Sequence, residues 1–149
     1  MFTTFFRIIR GRRQKRSKFI KRPKRKSRIE VSYRKSARKF FAERLEYFTG
    51  AYNLHYRTMR ISGAKTRWGS CSAKKNINLN WRLMLAPPKV IDYVIAHELS
   101  HTVYMNHSKQ FWAHVEGMIP DHRRYRKWLK DHGRFLSRHI THDQILGTL

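Results

Sequence analysis

The chain has 149 residues, enough for one compact domain with a core and short for two. Its 34 Lys and Arg stand against 9 Asp and Glu, a formal charge of +25 that attracts polyanions, while the single Cys71 excludes an internal disulfide framework and an all-cysteine zinc site. No apolar run reaches the roughly 18 residues of a membrane span, and Arg7 cuts the first apolar stretch before it attains the ~7 residues of a secretory core. A soluble protein of the reducing cytoplasm is expected, although an Arg-rich, acid-free start also fits an organelle transit peptide.

Between Arg7 and Arg28 there are thirteen Lys or Arg and no acid, with Pro23 inside the run. Phe19 and Ile20 are too sparse an apolar complement to offset the ordering of so much like charge, so residues 1–28 are expected to form a flexible basic arm. Such an arm attracts nucleic acid non-specifically through its phosphates. Ile29, Val31 and Tyr33 alternate, which predicts a short strand over 29–33. Phe40, Phe41, Leu45 and Phe48 then share one helical face, predicting a helix over 36–49 that stops at Gly50.

Residues 57–62 read as a strand broken at Gly63. Residues 66–72, a polar turn at 73–76, and the alternation of Ile77, Leu79 and Trp81 predict a hairpin. Its outward residues, Asn78, Asn80 and Arg82, would then mark an edge to which a peptide could add as a further strand. Pro88 opens a mostly buried helix whose stripe of Val90, Ile91, Val94, Ile95, Leu99 and Val103 runs to about Tyr104. Ser108 can cap the next helix, with Phe111, Trp112 and Val115 inward, and Pro120 starts another that ends at Gly133. This assigns 29–133 to the domain and 134–149 to a C-terminal tail.

The chemistry sits in that buried helix, where residues 97–101 read His-Glu-Leu-Ser-His. At about 100° per residue His97 and His101 lie about 40° apart and one turn along, so both rings reach one ion, and Glu98 falls on the flank as the candidate catalytic base. Burying three such side chains without partners would cost roughly 1–3 kcal/mol each, whereas a metal supplies the partners. Catalytic zinc usually takes three protein ligands. His107, His114, Glu116 and His122 compete for the third place. His107 follows His101 by six residues, the interval of the metzincin pattern His-Glu-x-x-His-x-x-Gly-x-x-His. Tyr104 stands where that pattern has glycine, but Asn106 adopts the left-handed conformation cheaply and offers the turn instead. Glu116 is the main rival, as a carboxylate from a later helix. Trp68 reads as core, Cys71 as a small buried hydrophobe outside the metal site, and Lys65 and Arg67 as solvated charges that would contact phosphate if the substrate were a nucleotide. Tyr104 and His114 are candidates for stabilising an oxyanion.

The segments TRWGSCS (66–72), NINLNWRLMLAPP (76–88), DYVIAHELSH (92–101) and NHSKQFW (106–112), in that order, resemble the YgjP-like metallopeptidase family, itself distantly similar to SprT-like proteases. The resemblance spans roughly Arg34 to Trp128. It implies an α+β, zincin-like domain: a short antiparallel sheet, an active-site helix and two further C-terminal helices. It also implies a Zn2+ ion on His97, His101 and His107, Glu98 as base, and a peptide or protein substrate. Some members of the family are UTP pyrophosphatases, so hydrolysis of a nucleoside triphosphate is the alternative. The long amino-terminal strand region of many larger relatives is here replaced by the basic arm.

Overall fold

The structure is a computed structural model that describes residues 26–138. Most of the basic arm and of the C-terminal tail lie outside these residues. Four helices and one small sheet make an α+β fold. Helix α1 spans Arg28–Tyr52, β1 Thr58–Ser62, β2 Gly69–Cys71, β3 Asn76–Asn80, α2 Pro88–Ser100, α3 Lys109–Met118 and α4 His122–Arg138, with a 3-10 turn at Trp81–Leu85.

Residues 29–33 are not a strand but the first turns of α1. Ser27 caps the helix by accepting from the Glu30 N–H at 3.1 Å, and Glu30 pairs with Arg34 one turn on at 2.8 Å. Three alternating residues are too few to choose between periods. Here Tyr33 packs on Trp81, with ring centroids 5.9 Å apart, while Val31 is left exposed. The helix also passes through Gly50 and stops at Asn53, whose left-handed backbone (φ 50°, ψ 46°) ends it. Its inner face is Ala37, Phe41, Leu45 and Phe48, all buried.

The hairpin forms as expected, β2 pairing antiparallel with β3 through a turn in which Lys75 takes a positive φ of 58°. The sheet is mixed, however, because β1 lies parallel to β3 on its other side, giving the order β1-β3-β2. So β3 is the central strand, and among the described residues the free edges belong to β1 and β2. Asn80, expected to point outward, is buried: its amide donates to the carbonyls of Ala64 (2.7 Å) and Arg67 (3.0 Å), and its oxygen accepts from the Arg82 N–H (3.1 Å). That last bond caps the 3-10 turn, which removes Trp81 from the strand although its side chain stays buried.

Helix α2 packs against all of these layers. Between Val90 and Ser100 only Asp92 and His97 keep partial exposure. The Arg44 guanidinium grips the Asp92 carboxylate with two bonds of 2.7 and 2.9 Å, fixing α1 to α2. α2 ends at Ser100, four residues short of Tyr104, because Thr102 and Val103 bond to the carbonyls three residues back, Leu99 and Ser100, and tighten the chain. Ser108 caps α3 as expected, and α4 continues through Gly133 to Arg138. No helix among the described residues is long and apolar enough to cross a membrane.

Phe41 is fully buried where α1 meets the rest of the core. Phe41→Ala should therefore lower unfolding free energy by about 3–5 kcal/mol, read as a reduced urea midpoint.

Candidate active site

His97 and His101 project from the last turn of α2, and the chain then turns back so that His107, just before the Ser108 cap, faces them. Asn106 does not supply this turn with a left-handed residue; Asn53 and Lys75 are the non-glycine residues with positive φ among those described. The reversal is made instead by the tightened bonds at 102–104, with the Tyr104 N–H returning to Ser100 O at 2.8 Å.

Donor nitrogens of the three imidazoles all lie within 4.8 Å of one another. Nε2 of His97 and Nε2 of His107 are 3.2 Å apart. Two nitrogens sharing a tetrahedral zinc at about 2.0–2.1 Å would be separated by about 3.3 Å, so the spacing suits such an ion. His101 is already oriented, since its Nδ1 donates to Tyr104 O at 3.0 Å and leaves Nε2 for a metal. His97 has no such anchor: its Nδ1 is buried without a partner among the described residues. Packing holds it instead. Phe111, fully buried, lies beneath all three rings with centroid distances of 4.9, 4.5 and 4.8 Å to His97, His101 and His107.

Burial keeps the rings of His97 and His101 as lone-pair donors. Burial, then the neighbouring His101 and His107, then the Arg126 guanidinium hold His97 down to about 3. Glu98 is 5% exposed, and burial pushes its carboxyl up to about 8. The carboxylate sits against Gly69 of β2. A Cβ at that position would lie 2.7 Å from Glu98 Cγ and 2.8 Å from Cδ, so any side chain there would displace the carboxyl. Gly69, next to Trp68, thus meets Glu98 through a contact for which linear spacing gives no signal.

The cavity in front of the rings is walled by Gly69, Ser70, Cys71, Glu98 and Met105 besides the three histidines. Cys71 lies there with its thiol pushed up to about 11 by burial first and by Glu98 second, which disfavours the thiolate needed for ligation. Glu116, the rival third ligand, instead lines a neighbouring cavity on the far side of His107. His114 is tied away, its Nδ1 2.9 Å from Ser100 Oγ, which itself donates to Ala96 O. Tyr104 serves through its backbone carbonyl, and neither it nor His114 lines the cavity at the rings. His122 is buried and stacks on Trp112.

A family profile described as YgjP-like, metallopeptidase domain, matches residues 5–132, and the chain belongs to that family. It is accordingly a metallohydrolase of the peptidase class. Among solved structures the metallopeptidase zymogen of Pyrococcus abyssi, abylysin, shares the fold with a TM-score of 0.56 and 22% identity, over 63% of this chain and 96% of the other. No curated protein matches the chain.

Two outcomes follow from the Glu98 pocket. Gly69→Ala should keep metal content but lower turnover on the order of 10²-fold by displacing the carboxylate, measured by elemental analysis beside a rate assay. In metal-free protein, Glu98 holds its proton to about 8 when folded but loses it near 4.5 when unfolded, so stability declines as pH rises through that interval. Above about 6.5 His97 is neutral in both states and does not oppose this trend. The thermal midpoint in chelator should fall between pH 6.5 and 8, and Glu98→Gln should flatten the fall.

Proposed function

We propose that this protein hydrolyses peptide bonds with a zinc ion held by His97, His101 and His107 and with Glu98 as general base. The observation that carries the reading is the convergence of three imidazoles beside the buried carboxyl of Glu98. Three nitrogen donors within 4.8 Å of one another suit zinc, and uncharged imidazole ligands would leave the ion its full charge. When bound, zinc polarises the scissile carbonyl and acidifies water at its open position.

The remaining work belongs to the chain. Glu98 takes a proton from the attacking water and returns it to the leaving amine, and burial suits it to both roles by bringing its proton affinity near neutral pH. Gly69 gives the carboxylate its place. A peptide finds a guide in β2. Trp68 and Ser72 bond across to β3 (Asn80 N–H to Trp68 O, 2.8 Å; Ser72 N–H to Asn76 O, 3.0 Å), so by antiparallel alternation the backbone groups of Gly69 and Cys71 face the free edge. Both residues wall the cavity at the histidines. Strand addition there, rather than along β3, would lay an extended substrate across the site.

A second reading, hydrolysis of a nucleoside triphosphate, has in its support the cations Lys109, Arg123 and Arg126 in a cavity that shares His107, although Glu116 stands among them. The basic arm, with its thirteen cations, supports a further non-specific affinity for nucleic acid in a cytoplasmic setting.

Zinc-loaded protein incubated with denatured protein and with nucleoside triphosphates, and analysed by mass spectrometry, separates these readings. New peptide fragments are expected from the parent protein. Glu98→Gln should retain zinc and lose at least about 10²-fold in rate, whereas His101→Ala should lose the metal. Pyrophosphate without peptide fragments would overturn the peptidase reading.

A further inference from the structure

A cavity of about 500 Å³ lies between α3 and the first turns of α4, and His107 is a wall shared between it and the cavity at the imidazoles. Lys109, Arg123 and Arg126 converge there with Trp112 and His122. None of the three cations pairs with a carboxylate among the described residues. Arg126 instead places its guanidinium 4.8 Å from the Trp112 ring centroid, and the His122 ring stacks on the same indole at 5.6 Å. His122 is 4% exposed, and its Nδ1 is buried with no hydrogen-bond partner among the described residues. Glu116 also lines the cavity and is the one acid there.

We propose that this cavity is an anion subsite of the active centre, which receives a carboxylate of the peptide substrate close to the bond being cut. The inference rests on the peptidase reading and adds the substrate's chemistry to it. Three cations against Glu116 leave a surplus of two positive charges, suited to one carboxylate and poorly matched to the clustered charge of a triphosphate, which Glu116 would repel. Guanidinium groups bind a planar carboxylate through parallel N–H bonds, and the indole under Arg126 keeps that group oriented. A chain aligned on the β2 edge crosses the histidines and, continuing past His107, delivers its side chain or its terminus to this cavity.

The test uses zinc-loaded Glu98→Gln protein, which holds substrate without turning it over. Alanine-based heptapeptides carrying a neutral fluorophore are titrated at physiological salt: one with a central aspartate, its asparagine twin, both amidated, and the twin with a free carboxy-terminus. Fluorescence anisotropy should show one of the two acidic peptides binding about tenfold tighter than the amidated asparagine twin, a preference of the order expected for a charge-assisted pair. Which one prevails identifies the carboxylate as side chain or terminus. Adding Arg123→Ala and Arg126→Ala should erase the preference, while Lys35→Ala and Arg38→Ala, which remove equal charge from the exposed face of α1, should leave it. Thermal unfolding establishes that both double variants are folded.

Equal affinity of all three peptides, no binding of any at millimolar concentration, or equal loss in both double variants would overturn the proposal, the last by assigning the attraction to the overall charge of +25. So would Arg126-dependent binding of inorganic triphosphate in the absence of any peptide preference. Because no turnover is read, each of these failures leaves the Glu98 rate test of the peptidase reading standing.

Discussion

Packing α2 against α1, the sheet, α3 and α4 together places a run of polar side chains where water scarcely reaches. Every such group must find a partner or carry a desolvation cost. Ser100 finds Ala96 O and His114, Thr102 finds Leu99 O at 2.7 Å, and His101 Nδ1 finds Tyr104 O. Left over along this helix are the His97 ring and the Glu98 carboxyl, on which the remaining nitrogens of His101 and of the exposed His107 converge. The rest of the domain serves this arrangement: Phe111 floors the rings, β2 brings Gly69 against the carboxyl, and the Arg44–Asp92 fork locks the helix in place.

Features governed by neighbours in sequence were legible from sequence. The four-residue step from His97 to His101, the Ser108 cap and the polar turn at 73–76 are set by helical pitch, a side-chain oxygen and local turn chemistry, and each stands where expected. Features that depend on distant partners were not. Whether Ile29, Val31 and Tyr33 form a strand or a helix is decided by Ser27 in front of them and Trp81 beneath them. Parallel pairing of β1 with β3 joins residues eighteen positions apart, such as Thr58 and Asn76, and turns the expected edge into the centre of the sheet. The contact between Gly69 and Glu98, and the approach of Arg126 to Trp112, likewise arise only when the chain has folded back on itself.

His107 links two environments of different character. On one side the cavity is bounded by the β2 backbone and a nearly inaccessible carboxyl; on the other it is bounded by cations around an indole. A single ring between them couples selection of the substrate to its positioning, since whatever binds among the cations must lie alongside a candidate metal ligand. The excess charge of the chain therefore has two scales. About half of it, thirteen cations with no acid, lies in the arm, whereas three cations line the cavity that shares His107.

The hydrocarbon core running through Phe41, Leu45, Ile77, Leu79, Ile95, Leu99 and Phe111 is continuous and closes on side chains alone. The ring cluster borders that interior rather than plugging a hole in it. Phe111 belongs at once to that interior and to the floor of the three imidazoles, so a substitution there would disturb packing and site together.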